Sequence, residues 1–541
     1  MSASKMPLVT VDDLKRSIAN RSSDWRSPHV DVAGLERRLR SSITGEVRFD
    51  AGSKAMYAVD AGNYRQVPIG VVIPRSTDDV INAVATCHQF GAPLLSRGGG
   101  TSIPGQTCNT AIVMDWSKYM HGVLEINAHQ RWARVLPGTV CDELRNQAMA
   151  NSGNLLTWGP DPATHTHCCF GGMIGNNSCG AHAQMSGRCH ENVEELEILL
   201  YDGTRMTAGW MDDAELERRI FHGGRIGDIH RYIKSLRSHY GELVREKYPK
   251  IPRRVSGYNL DQLLPGEDGR FNLARALVGS EGTLVTILEA KVRLIDAKAE
   301  RVILMLGYPN VYEAADHVVD ILPFQPTALE GIDEDLYQNI EKKAGPNSRY
   351  LKLLPAGKGW LMAEFGAEKR QDAIDLATHV MEALKMKSDA PSMRLFTDVS
   401  DTQHIWQVRE AGLGSTAFVP GEADTWEGWE DSAVAPENLG SYLRDLRALY
   451  NKYEYRSVLY GHFGQGCVHC RATFDLMSAS GIRKWRSFME EATDLCVRHG
   501  GSLSGEHGDG QARAEFLHKM FGDELIGLFA NLSRSGTRIG R

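Results

Sequence analysis

The 541-residue sequence predicts an α+β protein that folds into more than one domain. At roughly 100–200 residues per domain, its length exceeds what one hydrophobic core organises. Near the N-terminal end, a strand, a helix and a second strand lead directly into a glycine-rich loop. From Val302 onward, strand-like and helix-like segments alternate, which is typical of a sheet with helices on one face. We therefore expect a helical N-terminal lead-in over residues 1–65, a first domain over 66–297 and a second over 298–541.

Hydrophobic periodicity and turn residues predict the individual elements. A helix over 77–90 is expected because Asp78 and Asp79 favour a first turn and Gly91 favours a helix end. A strand over 196–201 closes with the hairpin signal Asp202-Gly203. In the first domain, further strands are expected over 71–73, 93–96, 111–116, 123–127, 131–136, 276–279 and 284–294, and helices over 140–150 and 226–247. In the second, strands are expected over 302–306, 360–365 and 393–396, and helices over 314–321, over 371–386 and around Trp406 and Arg409.

The composition excludes several classes of partner. Lys and Arg number 61 against 68 Asp and Glu, so the net charge of −7 offers no basic field for nucleic acid. No apolar run reaches the ~18 residues of a membrane span, and residues 1–7 lack the apolar core of a secretory signal. We expect a cytoplasmic protein without a transmembrane segment, and peripheral membrane association stays open. The 10 cysteines are too dilute for a disulfide scaffold, so reduced thiols are expected, with Cys467 and Cys470 packed as small apolar groups.

Three glycine-rich segments are the first candidates for a binding site. The loop 97–105 follows a strand, and its consecutive glycines let several backbone N–H groups point into one concavity that suits pyrophosphate. Its spacing matches neither a P-loop nor a Rossmann fingerprint, and taken alone a tight turn explains it equally well. The stretches 158–164 and 171–180 are rich in Gly, Asn and Ser, as backbone packed against a flat polar ring requires. The third segment, 277–284, is by itself also consistent with a strand–turn–strand.

Two histidines in the segment 461–470 are candidates for a metal site. In a continuous strand, residues seven positions apart face opposite ways. Gly464 and Gly466 permit a turn or bulge that lets His462 and His469 converge.

The segment 501–510 supplies an acidic and a basic side chain to the same region. Adjacent side chains of an extended segment diverge, so Glu506 can bind one object while His507 addresses another. Two His and a carboxylate make a credible three-ligand site for Zn²⁺ or a similar divalent ion. Hydrogen-bonded structural histidines are the alternative.

The order of the three glycine-rich segments resembles the flavin domain of the vanillyl-alcohol oxidase/p-cresol methylhydroxylase (PCMH) superfamily over residues 66–294. The resemblance implies a two-subdomain PCMH-type FAD-binding domain in which loop 97–105 holds the pyrophosphate. Relatives that attach FAD covalently often carry His where Thr101 stands, and some use Cys near His165, so non-covalent FAD is implied. The residues implied to bind FAD are Arg97, Gly98, Gly99, Gly100, Thr101, Ser102, Gly105, Pro160, Asp161, Thr164, Gly171, Gly172, Asn176, Asn177, Ser178, Gly279, Glu281 and Gly282.

The two histidine-bearing segments resemble the C-terminal halves of FAD-dependent D-2-hydroxyacid dehydrogenases of the D-lactate and D-2-hydroxyglutarate types. Most of all they resemble the flavoprotein part of the long bacterial D-2-hydroxyglutarate dehydrogenases. For residues 298–541 this implies an α+β FAD-linked oxidase C-terminal cap domain with an antiparallel sheet. The implied metal ligands are His462, His469 and Glu506, and the implied proton acceptor is His507. The implied substrate residues are Arg409, which binds the α-carboxylate, and Tyr258 and Asn259.

Two features depart from the pattern of this family. The segment 429–431 offers no Lys for a distal carboxylate, which puts a preference for dicarboxylates in doubt. The stretch 532–541 lacks the Pro- and Asn-containing segment that relatives carry, so we expect a second domain shortened at its end.

The resemblance implies a dehydrogenase that oxidises a D-2-hydroxy acid to the 2-oxo acid. Hydride would pass from the substrate to flavin N5, while neutral His507 takes the hydroxyl proton. Electrons would leave to an external acceptor, namely a quinone, an electron-transfer flavoprotein or a separate iron–sulfur subunit, with O₂ a poor substitute. The alternatives are a non-catalytic FAD-binding or electron-transfer subunit, and a metal-dependent hydrolase.

Overall fold

The computed structural model describes residues 30–344 and 351–537. We call residues 30–297 the N-terminal half and residues 298–537 the C-terminal half. The chain first forms a four-stranded sheet in the order β1-β2-β4-β3, antiparallel between β1 and β2 and parallel elsewhere. Its strands are β1 (Glu46–Arg48), β2 (Gly70–Ile73), β3 (Leu94–Arg97) and β4 (Ile112–Asp115), and its helices are α1 (Val32–Ser42), α2 (Ala51–Met56) and α3 (Thr77–Phe90).

The strand–helix–strand unit that precedes the first glycine-rich loop is confirmed. The Ser76 side chain accepts a hydrogen bond from the Asp79 backbone N–H at the start of α3, and Gly91 ends the helix with φ of +63°. The predicted helical lead-in over 1–65 also contains β1, which pairs with β2 and so belongs to this sheet. Its residues 1–29 lie outside the described part of the chain.

The second layer of the N-terminal half is a five-stranded antiparallel sheet in the order β5-β6-β12-β8-β9. Its strands are β5 (Val123–Asn127), β6 (Trp132–Val135), β8 (Val193–Leu199), β9 (Arg205–Ala208) and β12 (Thr286–Arg293), and two short pairs join β7 (Leu156–Thr157) to β13 (Ile295–Asp296) and β10 (Trp210–Met211) to β11 (Phe271–Asn272). The helices are α4 (Cys141–Ser152), α5 (Phe170–Asn176), α6 (Ala183–Ser186), α7 (Cys189–Asn192), α8 (Asp213–His222), α9 (Gly224–Lys247) and α10 (Leu273–Leu277), with a 3₁₀ turn over Leu260–Leu263.

The strand predicted over 276–279 is wrong. Leu273–Leu277 is a short helix, because the Asn272 side chain accepts a hydrogen bond from the Arg275 backbone N–H and so starts a helical turn. After this helix the chain turns at Gly279, whose φ is +83°.

The C-terminal half is built on a six-stranded antiparallel sheet in the order β17-β14-β16-β15-β18-β19. Its strands are β14 (Glu300–Tyr308), β15 (Ala328–Asp333), β16 (Gly359–Ala367), β17 (Ser392–Phe396), β18 (Ser457–Gly461) and β19 (His469–Ala472). The helices are α11 (Val311–Asp316), α12 (Val318–Ile321), α13 (Glu334–Ala344), α14 (Arg370–Lys385), α15 (Val399–Glu410), α16 (Gly412–Thr416), α17 (Leu439–Lys452), α18 (Ala479–Arg498), α19 (Gly510–Arg513) and α20 (Leu517–Thr537), with 3₁₀ turns over Leu322–Phe324, Pro436–Asn438, Phe463–Gln465 and Ala514–Phe516.

Helices cover both faces of this sheet, so the expected single helical face is wrong. On β14, Leu304 belongs to the core cluster that contains residues of α11, α14 and α17. Its neighbour Met305 belongs to a second cluster with Leu336 of α13 and Ile405 of α15. Successive residues of a strand face opposite sides, so the strand is buried on both.

The described residues form no membrane-spanning helix and no disulfide. None of the helices described is both long and apolar enough to span a membrane. All ten cysteines lie in described parts of the chain, are buried and carry no disulfide. Cys467 and Cys470 are packed in this way, at 0% and 2% exposure.

Candidate functional site

A cavity of about 640 Å³ lies between the two halves of the molecule. Volumes of this order are usual for small-molecule and cofactor sites. One side is formed by residues 98–102 of the first glycine-rich loop and by parts of the second. The opposite side carries α15, His462 after β18 and His469 at the start of β19.

Most residues implied to bind FAD line this cavity or a smaller one of about 70 Å³ beside it. The large cavity is lined by Gly98, Gly99, Gly100, Thr101, Ser102, Asp161, Thr164, Gly172, Asn176 and Ser178. The small cavity adds Arg97, Gly171, Glu281 and Gly282. The three glycine-rich segments therefore meet in space.

Four implied FAD residues line neither cavity and instead shape the loops. The Gly105 carbonyl accepts a hydrogen bond from Gln511 Nε2 at 2.6 Å. The Pro160 carbonyl accepts from the Cys141 thiol. Asn177 ends α5 with φ of +59°, and Gly279 has φ of +83°. We therefore assign these four residues to loop conformation.

The glycines of the cavity wall fit a flat cofactor. A Cβ atom placed on Gly172 or Gly282 would meet no heavy atom of the described residues within 4 Å, although both lie at the cavity. A Cβ on Gly99 would instead lie 2.3 Å from the His167 carbonyl oxygen. The wall is therefore tightly packed behind the first loop and open in front of α5, where a ring can approach backbone.

The predicted convergence of His462, His469 and Glu506 is present. Glu506 Oε1 lies 3.1 Å from His469 Nε2, and Glu506 Oε2 lies 3.4 Å from His462 Nε2. One ligand atom from each of the three residues falls within 4.8 Å of the other two. A tetrahedral ion with bonds of about 2.0–2.1 Å holds its ligand atoms roughly 3.3 Å apart, so the donor set fits a divalent ion.

The outer nitrogen of each histidine is held by the protein. His462 Nδ1 pairs with Glu330 Oε1 at 2.8 Å, and His469 Nδ1 pairs with the Glu430 carbonyl at 3.1 Å. Both Nε2 atoms are thereby directed at Glu506, as in carboxylate- or carbonyl-supported metal sites. Burial lowers the pKa of His469, which favours the neutral imidazole that a metal requires.

A buried arginine fixes the carboxylate of the cluster. Arg253 is 0% exposed and donates from Nη2 to Glu506 Oε2 at 2.6 Å. Burial by itself would raise the pKa of Glu506, but His462 and Arg253 outweigh it and hold that pKa well below its usual range. Glu506 is therefore ionised, as a metal ligand must be.

The loop that carries Glu506 and His507 is organised by Asp431. Asp431 Oδ2 accepts from the backbone N–H of Glu506 at 3.0 Å and of His507 at 2.7 Å, and from Ser504 Oγ at 2.5 Å. The other carboxylate oxygen pairs with the buried Arg513 guanidinium. One buried ion pair thus sets the backbone that presents both side chains.

His507 lies next to the metal-ligand cluster. Its Nε2 is 3.2 Å from Glu506 Oε1, and its ring stacks on His469 with centroids 5.2 Å apart. Burial would lower its pKa, but Asp431, Glu430 and Glu506 outweigh burial and raise the pKa well above its usual range. These carboxylates favour an imidazolium, in contrast to the neutral form expected from the sequence. A divalent ion on Glu506 would oppose that attraction.

Arg409 is buried in the cavity wall, which excludes a surface salt bridge. It is 8% exposed, lines the cavity, and donates to Glu330 Oε2 from Nε at 2.7 Å and from Nη2 at 2.6 Å. Its guanidinium also lies 5.1 Å from the centre of the Tyr460 ring. The remaining N–H groups are available to an anion in the cavity.

The two other residues implied to bind substrate do not line the large cavity. The Tyr258 hydroxyl is bonded to Thr283 Oγ1 at 2.6 Å, and its ring packs on Phe529. Asn259 is 1% exposed and donates from Nδ2 to the Val278 carbonyl at 2.8 Å. Both residues contact the third glycine-rich segment, and the substrate contact implied for them stays a prediction.

Sequence reasoning missed Glu330, Arg253, Asp431 and the cluster around His182. His182 contacts Asp161 at 2.5 Å and Glu364 at 2.9 Å, and it lies at the cavity. A signal was available for both glutamates, since Glu364 is the single carboxylate of β16 and Glu330 shares the otherwise apolar β15 only with Asp333, and buried carboxylates are nearly always paired.

Comparison with known proteins agrees with this geometry. Residues 68–209 match the family described as "FAD binding domain", and residues 297–534 match "FAD linked oxidases, C-terminal domain". The D-2-hydroxyglutarate dehydrogenase of Pseudomonas putida is 30% identical over 90% of this chain and 49% of its own length. The chain therefore spans about half the length of that relative. The glycolate oxidase subunit GlcD of Bacillus subtilis is 25% identical over 90% of both chains.

Solved structures show the same fold at low sequence identity. The 4-ethylphenol oxidase of Gulosibacter chungangensis has a TM-score of 0.65 at 13% identity, covering 95% of this chain and 96% of its own. p-Cresol methylhydroxylase has a TM-score of 0.64 at 11% identity, covering 94% and 95%. The two-subdomain PCMH-type fold with a C-terminal cap domain is thereby confirmed.

Proposed function

The chain belongs to the FAD-linked oxidases of the PCMH flavoprotein fold, and from that premise we propose that it oxidises a D-2-hydroxy acid to the 2-oxo acid. The observation that supports this most is the cavity itself. His462, His469, Glu506 and Arg409 line the same cavity as the glycine-rich turns. A metal-dependent hydrolase would account for the histidines and Glu506 but not for the glycine-rich turns.

Each residue has a distinct task in the proposed reaction. Arg409 binds the α-carboxylate through the N–H groups that Glu330 leaves unused, and this fixes the α-carbon in the cavity. A divalent ion on Glu506 would favour the neutral form of His507, and in that form His507 takes the hydroxyl proton on Nε2, the ring nitrogen that faces Glu506. When bound, FAD supplies the hydride acceptor and a divalent ion held by His462, His469 and Glu506 supplies Lewis acidity.

The cofactor and the electron acceptor are part of the proposal. FAD is held without a covalent bond, by residues 98–102 and the wall of α5, with Thr101 where covalent relatives carry His. An external acceptor, which is a quinone, an electron-transfer flavoprotein or an iron–sulfur subunit, reoxidises the protein, and O₂ does so poorly. A cytoplasmic location stays a prediction.

An anaerobic reduction screen tests the proposal. The purified yellow protein is mixed without oxygen with D- and L-lactate, glycolate, D-2-hydroxyglutarate and larger 2-hydroxy acids, and flavin absorbance is followed. Bleaching by a D-acid, lost after chelation and restored by divalent metal, is the expected result. Bleaching by dithionite alone would instead indicate a non-catalytic FAD-binding subunit, and a colourless metal-binding protein would indicate a hydrolase.

A further inference from the structure

We propose that Glu330 is a positioning residue that ties a metal ligand and the carboxylate-binding arginine into one rigid unit. The inference rests on the proposed function, because it concerns the residues that hold the ion and the substrate. Glu330 itself is proposed to contact neither the ion nor the substrate, and it acts through the residues that do.

Strand pairing brings Glu330 to this place. Gly331 of β15 pairs with Gly461 of β18, so Glu330 lies beside the chain that leads to His462. Phe463 closes over β15, where a Cβ on Gly331 would lie 2.2 Å from its ring. Glu330 is 0% exposed, so its geometry is set by protein contacts alone.

The two oxygens of Glu330 serve two different groups. Oε1 pairs with His462 Nδ1 at 2.8 Å, while Oε2 accepts from Arg409 Nε at 2.7 Å and Nη2 at 2.6 Å. Both interactions are charge-assisted. Neither the His462 ring nor the Arg409 guanidinium can rotate without breaking its bond to Glu330. Glu330 therefore fixes the position of His462 relative to Arg409.

For His462, the bond determines which nitrogen is free. A carboxylate on Nδ1 keeps the proton there and leaves the Nε2 lone pair directed at Glu506, 3.4 Å away. Such outer partners orient the ring and raise its basicity, and their loss weakens metal binding by about 10–100-fold in comparable sites.

For Arg409, the bond determines which N–H groups remain for substrate. Two donors of the guanidinium are used by Oε2, and the Tyr460 ring supports the group at 5.1 Å. The others are held in a fixed fork at the cavity, which preorganises a bidentate contact with a carboxylate.

The amide variant Glu330→Gln separates this role from simple packing. Gln has the same shape, but its amide offers one acceptor oxygen and one NH₂, so it cannot accept from both His462 and Arg409. Asp333→Asn is a matched control on the same strand. Asp333 is also buried, and it accepts from the backbone N–H of Leu336 and Leu459, each at 2.7 Å, without lining the cavity.

The experiment uses the FAD-bound full chain loaded with Co²⁺, whose visible bands report the ligand set. We expect Glu330→Gln to weaken Co²⁺ by about 10–100-fold in chelator competition and to change those bands. We also expect KM for the D-acid to rise by about 10–100-fold, the usual effect of a lost hydrogen bond to a charged group. Asp333→Asn should leave Co²⁺ affinity, bands and KM unchanged, even where its melting temperature falls.

The outcomes distinguish the inference from the function on which it rests. A wild-type chain that binds no Co²⁺ at this site, or is bleached by no D-2-hydroxy acid, refutes the proposed function and this inference together. A functional wild type with a Glu330→Gln variant of equal Co²⁺ affinity and KM refutes the inference alone. The same conclusion follows if Asp333→Asn shows the same losses.

Discussion

His507 differs from its neighbours because it contacts the metal-ligand cluster without being needed to complete it. Glu506 lies between them, 3.2 Å from His507 Nε2 and 3.1 Å from His469 Nε2. His507→Gln should therefore slow anaerobic flavin reduction by about 10²–10⁴-fold, the usual contribution of a general base. Substrate affinity should change less than about tenfold, because Arg409 provides the carboxylate contact.

Stopped-flow reduction at a series of substrate concentrations separates the two quantities. The control is His499→Gln at the end of α18, whose ring pairs with Asp445 at 3.0 Å and does not line the cavity. Equal loss of rate and affinity in His507→Gln would assign His507 to binding instead of proton removal.

At this scale, the sequence predicts residues whose own type and spacing carry chemistry. Gly464 and Gly466 predict a turn between His462 and His469, and the chain makes a 3₁₀ turn over Phe463–Gln465. Contacts between residues that are far apart in the sequence cannot be predicted in this way. Nothing near Glu330 in the chain indicates that it meets Arg409, since only sheet pairing and the packing of α15 bring them together.

Among the elements, helix α5 has the most direct contact with the proposed flavin site. Gly172 lies inside this helix and faces open space at the cavity. Gly172→Ala should leave the FAD-free protein as stable or more stable, by up to about 1 kcal/mol, because alanine favours helix over glycine. The added methyl should weaken FAD binding at least tenfold, because it occupies the approach to the backbone.

Flavin fluorescence titration and thermal melting of the FAD-free protein measure these two effects. Gly414→Ala in α16 is the matched control, since a Cβ there also meets no described heavy atom within 4 Å. It should melt as wild type or higher and bind FAD normally. Normal FAD affinity in Gly172→Ala would show that the flavin does not approach α5.

Elements with strong end signals were predictable, and short ones were not. Helix α3 has an acidic first turn and a glycine end, and both features are used in the structure. The segment at 273–279 is a single helical turn followed by a bend, and an apolar run that short has no periodicity to distinguish helix from strand. The capping contact of Asn272 decides the outcome.

For the molecule as a whole, His182 joins the two halves at the edge of the cavity. It comes from the N-terminal half together with Asp161, whereas Glu364 comes from the central strand β16 of the C-terminal half. Glu364 also accepts from Thr327 Oγ1 at 2.7 Å and Trp406 Nε1 at 2.8 Å. His182 Nδ1 pairs with Asp161, while Nε2 lies 2.9 Å from Glu364 Oε1 and 2.7 Å from Nη1 of Arg301, which also belongs to the C-terminal half.

The charge on His182 gives the junction a defined pH dependence. Burial would lower its pKa, but Asp161 and Glu364 outweigh burial and raise it from 6.5 to about 10. Because the folded pKa lies above the unfolded one, the stabilisation is complete below about pH 6.5 and is lost as the pH rises towards 10. For Glu364, burial is outweighed by His182 and Arg301, and the pKa falls from 4.5 to about 2. That contribution is complete above about pH 4.5 and is lost as the pH falls towards 2.

His182→Gln should therefore lower the free energy of unfolding and also make it less dependent on pH in the alkaline range. Between about pH 4.5 and 6.5 the free energy of unfolding of the variant should be lower than that of wild type by an amount on the order of a few kcal/mol. The variant should therefore unfold at a lower urea concentration. As the pH rises towards 10 the two midpoints should converge, because wild type loses the charged contact that the variant never had. His317→Gln is the control, since its ring pairs with Asp320 at 2.7 Å within the C-terminal half alone. A difference between wild type and His182→Gln that stays constant from about pH 6 to 10 would show that His182 joins the halves by packing, not by charge.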